Sequence, residues 1–245
     1  MKAAVIYENG GPEVLRYEDV PDADCPEGCV LIDVEAISLE GGDLLHRAGS
    51  PPPSVPHVVG YAAAGTIVQV GVGVENRAVG DRVANLNAAE PASSDEKLER
   101  LKELGLDHGI NYASESFVER TRELTDGRGA NVVLDSVGGQ TLVDSIAALA
   151  YRGTLVSVGV ASRAGSSVEA QSLWAQNNTL RGVFLAAAMV NEYPRVHPMI
   201  ADLLERVARG ELRVVIDRTF PLAEAAAAHS YIESRQAFGR VVLTP

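Results

Sequence analysis

Three side chains that could perform acid–base chemistry lie in the first part of the chain. Glu40 and Asp43 belong to the short stretch Ser38–Asp43, and Tyr61 follows later. A buried carboxyl group has a raised pKa and can act as a general acid or base near neutral pH, whereas a carboxylate on a solvated loop keeps its ordinary pKa. The sequence leaves both interpretations of Glu40 open. Glu40, Asp43 and Tyr61 are therefore the candidate catalytic residues.

The two cysteines, Cys25 and Cys29, do not predict a metal site. A structural zinc ion needs about four ligands, and no second pair of cysteine or histidine residues follows at ligand spacing. We therefore expect no zinc. The pair is interpreted as a loop cysteine and a strand-edge cysteine in a reducing compartment.

Glycine-rich turns could bind a phosphate, because glycine lets the backbone approach closely while the next helix offers unpaired N–H groups. Gly71 and Gly73 follow a predicted strand but precede no helix, so a plain turn is favoured. Gly127 and Gly129 match a helix-to-strand turn. The segment Ser136–Gly139 ends a predicted strand and begins a helix. It is the best phosphate-like corner in the sequence.

Composition restricts the class of protein that must position these residues. The chain has 245 residues, of which 46% are hydrophobic and 22% are charged, as in an ordinary globular protein of one or two domains. Its net charge of -12, with no offsetting Lys/Arg cluster, opposes binding to nucleic acid or anionic lipid. Apolar stretches are too short for a membrane span, and the amino terminus shows no signal pattern. We expect a cytoplasmic protein with small-molecule or protein partners.

Residues 1–87 predict short strands, because apolar and polar residues alternate between Gly and Pro punctuation. The expected strands include Lys2–Tyr7, Leu15–Asp19, Cys29–Ala36 and Gly65–Val70. This pattern is typical of an antiparallel barrel or sandwich. The tail, residues 212–245, predicts two strands around an Ala-rich helix and is expected to join it.

Residues 88–211 predict alternating strands and helices, the pattern of a parallel doubly wound sheet. The expected strands are Gly109–Tyr112, Asn131–Asp135, Gly153–Val158 and Thr179–Phe184. The expected helices are one capped at Ser93 and Ser94 that ends near Leu104, then Ser116–Leu124, Gln140–Ala150 and Pro198–Arg209. The fold class is therefore α/β.

Short motifs along nearly the whole chain match one known family in order. In the first half they are Lys2–Val5, Gly11–Leu15, Glu35–Ser38 with Asp43 and Arg47, Pro56–Gly65 and Val79–Val83. In the second half they are Ser94–Leu98, Leu104–Tyr112, Val133–Gly139, Gly153–Gly159 and Gly239–Leu243. Together they resemble the zinc-free quinone oxidoreductase (zeta-crystallin-like) family of the medium-chain dehydrogenase/reductase superfamily.

The resemblance implies a GroES-like β-barrel-type domain plus a truncated Rossmann-like doubly wound sheet. It also implies hydride transfer from NADPH to a quinone or an activated double bond without a metal. The zinc-dependent branch carries Gly-His-Glu where this sequence has Gly60, Tyr61 and Ala62. Zinc-free relatives usually keep an acidic residue at Ala62 and often an Asn at Glu40, and both positions touch the catalytic cleft in the family.

A long segment of the relatives has no counterpart in this sequence. In the family it carries the first strand, Gly-rich turn, helix and second strand of the nucleotide domain. Here the nine residues Ala84–Ala92 bridge the same gap, and a strand-helix-strand unit takes about thirty. The resemblance therefore implies that the pyrophosphate-binding turn is missing and that NADPH binding is weakened or lost.

The resemblance still places cofactor contacts on both sides of this gap. Those expected near the adenosine 2′-phosphate are Ser93, Ser94, Lys97 and Tyr112. Those expected near the ribose and the nicotinamide are Ser136, Gly138, Val158 and Gly159. For the first group, helix capping and a solvated lysine form an equally good interpretation.

The missing strands would also change how the sheet is completed, because the first two strands normally lie at its centre. Either the strand at Ile110 pairs with the strand at Val132, or the sheet borrows an edge from another subunit. Thr179–Phe184 resembles the edge strand through which relatives join their sheets, and an exposed edge invites pairing. We expect a homodimer.

Three functional hypotheses remain open. The first is a reductase with weakened NADPH use, which fails if no nicotinamide cofactor binds at millimolar concentration. The second is a cofactor-independent isomerase, cyclase or dehydratase acting on an enone-like or quinone-like small molecule through Glu40, Asp43 or Tyr61. It fails if the Glu40→Gln and Tyr61→Phe variants keep turnover. The third is a non-catalytic assembly protein, marked by absent turnover and a stable partner.

Overall fold

The computed structural model describes residues 1–49, 51–60, 62–75, 77–84 and 95–245. The chain divides into two compact units: unit 1 is Met1–Ala88 with Gly210–Pro245, and unit 2 is Ala89–Arg209. Three candidate site residues, Tyr61, Ser93 and Ser94, lie outside the described residues.

The described elements alternate strands and helices along most of the chain. The strands are β1 (Lys2–Ile6), β2 (Arg16–Asp19), β3 (Val30–Ser38), β4 (His57–Val58), β5 (Ala63–Val70), β6 (Arg82–Ala84), β7 (Ala130–Asp135), β8 (Leu149–Ser157), β9 (Thr179–Gly182), β10 (Ile216–Pro221) and β11 (Arg240–Thr244). The helices are α1 (Gly41–Gly49), α2 (Asp95–Lys102), α3 (Phe117–Leu124), α4 (Gln140–Ala147), α5 (Ala170–Trp174), α6 (Leu185–Asn191), α7 (Tyr193–Ala208) and α8 (Ala225–Glu233), with 3-10 turns at Pro12–Val14 and Leu222–Glu224.

Unit 1 contains two sheets, with strand orders β2-β1-β4 and β10-β11-β3-β5-β6. The last strand, β11, pairs antiparallel with β3, which places Val242 opposite Ser38. Helix α8 packs on this region around a core that includes Leu39, Phe220, Ala228 and Val241. Among the described residues these sheets do not close into a barrel, which corrects the barrel form of the expectation, because the end strands β6 and β10 do not pair with each other.

Unit 2 contains a parallel sheet of order β7-β8-β9. Helix α4 packs on one face, where Leu142 and Ile146 meet Leu155 of the central strand. The opposite face is open at β7, where the side chains of Val132 and Leu134 are 68% and 70% exposed. Strands of parallel sheets are ordinarily covered on both faces, so this exposure is unusual.

Several expected elements differ in the structure. Residues Gly109–Tyr112 form no strand. In the described sheet β7 has β8 as its only neighbour, so the first of the two alternatives, a pairing of Ile110 with Val132, does not occur among the described residues. Helix α7 begins at Tyr193 and carries Pro198 in its interior rather than at its start. No helix among the described residues is long and apolar enough to cross a membrane.

Candidate functional site

The pairing of β3 with β11 brings Glu40 and Arg240 together at the end of β3. Both carboxylate oxygens of Glu40 accept hydrogen bonds from Nη1 of Arg240 at 2.7 Å, and the Ser38 hydroxyl donates to Oε1 at 3.1 Å. Glu40 is buried, whereas the Arg240 side chain is about one third exposed. The interpretation of Glu40 as a solvated loop carboxylate is therefore wrong, because it forms a buried ion pair.

Asp43 lies in the first turn of α1 and is completely buried. Its Oδ2 accepts the backbone N–H of Glu40 at 2.8 Å, and its own N–H donates to the Glu40 carbonyl at 3.0 Å, the reciprocal pattern of a capped helix start. Its Oδ1 has no hydrogen-bond partner among the described residues. Burial raises the Asp43 pKa to about 6, with a further rise from Glu40, against lowering by the backbone hydrogen bond and His46.

A buried polar network anchors the other end of α1. Nη1 of Arg47 lies 3.0 Å from Nδ1 of His229, Nη2 forms an ion pair with Glu233, and Nε donates to the Gly10 carbonyl at 3.1 Å. Arg47 and His229 are almost fully buried. Burial, and then the Arg47 charge, lower the His229 pKa to about 4, although Glu233 opposes this. The network fixes α1, and with it Asp43, against α8.

The phosphate-like corner at the end of β7 is closed by the chain itself. The Asp135 carboxylate accepts the N–H groups of Val137 and Gly138, and the Ser166 hydroxyl accepts the N–H of Gly139 at 2.8 Å. Gly138 is buried, and a Cβ built on it would lie 3.2 Å from the Ser166 hydroxyl. The three N–H groups that could hold a phosphate are therefore already paired.

The segment after β8 covers the same corner. Backbone N–H groups of Ala161 and Ser162 donate to the carbonyls of Ser136 and Val137 at 3.0 and 2.9 Å. Contact between a cofactor and the buried Gly138 would require this segment to move. Ser136 is half-buried, so part of its surface is accessible to a cofactor.

The carboxyl ends of β8 and β9 lie beside each other, and the β9 end borders a cavity. The Val158 N–H donates to the Asp135 carbonyl at 2.8 Å, and the Val183 N–H donates to the Ser157 carbonyl at 2.9 Å. Gly159 leaves no room for a side chain, since a built Cβ would lie 2.9 Å from the Ser136 carbonyl oxygen. The cavity holds about 250 Å³ and is lined by Arg181, Gly182, Val183, Phe184, Ala187, Ala188, Asn191, Glu192 and Arg195. Ligands of open α/β sheets bind at this edge.

Two of the candidate residues on the adenosine side, Lys97 and Tyr112, lie among the described residues. Lys97 lies half-buried on α2, and Tyr112 lies in the following turn with 53% of its surface exposed.

Among the described residues, no group of three or more His, Cys, Asp and Glu side chains could hold a metal ion. Ala62, at the family's acidic position, is buried and has no ionisable group.

Sequence reasoning missed Arg240 and His229 as partners of the candidate residues. Arg240 is 200 positions from Glu40, and His229 is 182 positions from Arg47. A spacing rule cannot find such pairs, because they meet only through the packing of β11 and α8 on the first strands. The Gly239–Leu243 motif was the one available signal.

The fold is that of a medium-chain dehydrogenase/reductase. The family described as zinc-binding dehydrogenase matches residues 104–243, more than half of the chain, and the alcohol dehydrogenase GroES-like domain matches residues 26–124. The chain belongs to the zinc-binding dehydrogenase family of this oxidoreductase superfamily.

Individual relatives span the chain from end to end. A 2-haloacrylate reductase of a Burkholderia species is 29% identical over 332 positions, covering 99% of this chain and 98% of the relative. A quinone oxidoreductase of Salmonella typhimurium is 27% identical and covers 98% of both. A mycobacterial protein solved with NADPH is 27% identical, with a TM-score of 0.87 over 100% of both chains. The 332 aligned positions exceed the 245 residues here, so part of that relative has no counterpart.

Proposed function

We propose that the protein is a zinc-independent reductase that uses NADPH to reduce a quinone or an activated double bond, with weakened cofactor binding. The observation that carries this proposal is the end-to-end similarity to a 2-haloacrylate reductase and a quinone oxidoreductase. NADPH supplies the hydride in such chemistry. The protein's part is to hold the nicotinamide against the substrate, which requires few reactive side chains.

The described residues leave space at the carboxyl edge of the sheet, whereas their best substitute for the missing phosphate turn is already closed. The cavity beside Gly182 offers space at the carboxyl edge of the sheet. The corner formed by Ser136–Gly139, in contrast, has its N–H groups paired with Asp135 and Ser166. Hydrogen bonds to charged groups contribute about 1.5–3 kcal/mol each, so the loss of phosphate-binding N–H donors without a replacement weakens NADPH binding.

The direct experiment is calorimetric titration with NADPH, NADH and NADP+. We expect weak binding of NADPH, and weaker binding of NADH if Lys97 contacts the 2′-phosphate. The Lys97→Ala variant should then lose the preference for NADPH. Lys102→Ala is the matched control, because Lys102 lies on the same helix in an exposed ion pair with Glu99. Absence of any nicotinamide binding at millimolar concentration would end the reductase proposal, and micromolar binding would show that a phosphate site exists after all.

Turnover is measured by NADPH oxidation with benzoquinone and with 2-chloroacrylate in parallel. For its two carboxyl candidates, Glu40 and Asp43, the cofactor-independent alternative is not favoured by the geometry. Asp43 is completely buried, and Glu40 is held by Arg240, so neither carboxyl group is placed to touch a substrate in this conformation. Conversion of an enone without any nicotinamide cofactor would reverse this preference.

We also propose that the protein forms a homodimer through the edge of β9. Strand β9 is the end strand of its sheet among the described residues, and the neighbouring Phe184 is 74% exposed. Multi-angle light scattering should give twice the chain mass of 25.9 kDa. Phe184→Asp should shift the protein to the monomer, whereas Val190→Asp, an equally apolar and exposed site on α6, should not. A monomeric native protein would contradict the proposal.

A further inference from the structure

The two cysteines of the chain lie on one turn at the edge of unit 1. Cys25 is in the loop after β2, and Cys29 directly precedes β3. The sequence contains no other cysteine, and both thiols are free. Cys29 is exposed to solvent, while Cys25 is half-buried. A peroxide can therefore reach one thiol more easily than the other.

The turn between them is held in place by backbone hydrogen bonds. The Cys29 N–H donates to the Pro26 carbonyl at 3.2 Å, and the Gly28 N–H donates to the Val72 carbonyl at 2.7 Å. Gly28 has a φ of 76°, in the left-handed region that favours glycine. The chain therefore turns back on itself between the two cysteines.

The thiol of Cys25 points back at Cys29. Its Sγ lies 3.6 Å from the Cys29 carbonyl oxygen and 3.8 Å from that of Gln69. A carbonyl oxygen is about 2.4 Å from its own Cα, so this Sγ lies within roughly 6 Å of the Cys29 Cα. A disulfide needs Cα atoms about 4.4–6.8 Å apart. The contact brings the Cys25 sulfur beside the Cys29 backbone, and closure of the bond requires the Cys29 side chain to rotate towards it and the turn to bring the two Cα atoms into this range.

We infer that Cys25 and Cys29 form a site of reversible oxidation, at which a hydroperoxide converts the two thiols into an intramolecular disulfide. The Cys29 thiolate attacks one peroxide oxygen, forming an S–O bond as the O–O bond breaks and water leaves. The Cys25 thiolate then attacks the Cys29 sulfur, forming the S–S bond as hydroxide leaves and takes up a proton. Two thiols lose two electrons, and one hydrogen peroxide becomes two waters.

Charge favours Cys25 over an external thiol as the partner of oxidised Cys29. Asp22, Asp24 and Glu27 lie on the same segment and are exposed. Anionic thiols such as glutathione are repelled by these carboxylates, whereas hydrogen peroxide is neutral. The neighbouring thiol is also held at high effective concentration by the turn.

Peptide mapping tests this directly, because trypsin releases both cysteines in one peptide, Tyr17–Arg47. The native protein is treated with hydrogen peroxide, its remaining thiols are alkylated, and the digest is analysed without reduction. We expect the Tyr17–Arg47 peptide to lose the mass of two hydrogen atoms and to carry no alkyl group. Dithiothreitol should restore two alkylation sites. In the Cys25→Ser variant, Cys29 should instead gain two oxygen atoms as the sulfinic acid.

Each other outcome overturns the inference. Full alkylation of both cysteines after peroxide would show that the pair does not react. Sulfinic acid at Cys29 in the unmodified sequence would show that Cys25 does not resolve it. Two linked copies of the peptide would show an intermolecular disulfide. Reversal by dithiothreitol in the native protein needs no variant, so the test does not depend on how a substituted protein folds.

Discussion

Replacing Asp43 with asparagine should change the pH dependence of stability in a direction that the structure fixes. The Asp43 carboxyl is completely buried with one oxygen unpartnered among the described residues, and its pKa is raised from 3.8 to about 6. An acid with a raised pKa binds its proton more tightly in the folded protein than in the unfolded chain. Its ionisation therefore opposes folding above pH 6, and stability is regained as the pH falls towards 3.8.

The magnitude follows from the size of the shift. About two pKa units correspond to about 3 kcal/mol of lost stability once the carboxylate is ionised in both states. Part of this penalty persists at pH 4.5, so the change between pH 8 and pH 4.5 is about 2 kcal/mol. The Asp43→Asn side chain has no charge, and its amide oxygen can still accept the Glu40 N–H that caps α1. The variant should thus gain about 2 kcal/mol relative to the native protein as the pH rises across this range.

Urea unfolding of both proteins at several pH values and constant ionic strength measures this difference. Asp107→Asn, on an exposed residue, controls for a carboxylate-to-amide change without burial. The reasoning is refuted if the difference between the Asp43→Asn variant and the native protein stays constant within about 0.5 kcal/mol from pH 4.5 to pH 8. That result would mean that the carboxyl of Asp43 ionises with no burial penalty.

The stability contributed by His229 should change with pH in the opposite direction. Because its pKa is lowered to about 4, the native protein loses about 2–3 kcal/mol of stability as the pH falls from 8 to 4.5. The His229→Gln variant should not show this loss in the same urea unfolding series. A parallel acid profile for both proteins would mean that His229 charges freely beside Arg47. For the ion pair of Glu40 with Arg240, the Arg240→Met substitution should destabilise the protein, because it leaves the buried Glu40 carboxylate without its cation. The expected loss is about 1–3 kcal/mol, which is less than for a fully buried pair because Arg240 is partly exposed. Adding Glu40→Gln should recover part of that loss in a double-mutant cycle, and strictly additive effects would argue against the pair.

Asp43 and His229 change the stability in opposite directions as the pH falls. The pH dependence of the native protein's stability would therefore reveal neither contribution on its own. On acidification the first group stabilises the fold by about 2 kcal/mol and the second destabilises it by a similar amount. The two contributions nearly cancel between pH 8 and pH 4.5. Only the paired variants separate them.

Sequence patterns predicted the strands of unit 1 better than its first helix. Apolar residues alternating with polar ones indicate β3 and β5, and a continuous apolar run indicates β1, in which Ala3–Ile6 are all buried. Helix α1 begins with Gly41 and Gly42, which disfavour a helix, so local propensity provided little indication of it. It forms because Asp43 caps it and Arg47 is buried against α8, and the second contact depends on residues distant in sequence.

The expected strand at Gly109–Tyr112 failed for a related reason. Its residues suit a strand, but a strand exists only with a neighbour to pair with. Strand β7 is an end strand of the unit 2 sheet among the described residues, and its free edge does not pair with Gly109–Tyr112. Local propensity was therefore overridden by the absence of a ladder.

Unit 2 satisfies its hydrogen-bonding groups and its apolar surface to very different degrees. The N–H groups at the corner after β7 need only one acceptor each, and Asp135 and Ser166 supply these from nearby chain. The apolar face of β7 needs a whole layer, which no single side chain can provide. Val132 and Leu134 consequently stay exposed although their sequence is that of a strand covered on both faces. The N–H groups at the corner are therefore paired within the chain, whereas one face of β7 remains exposed.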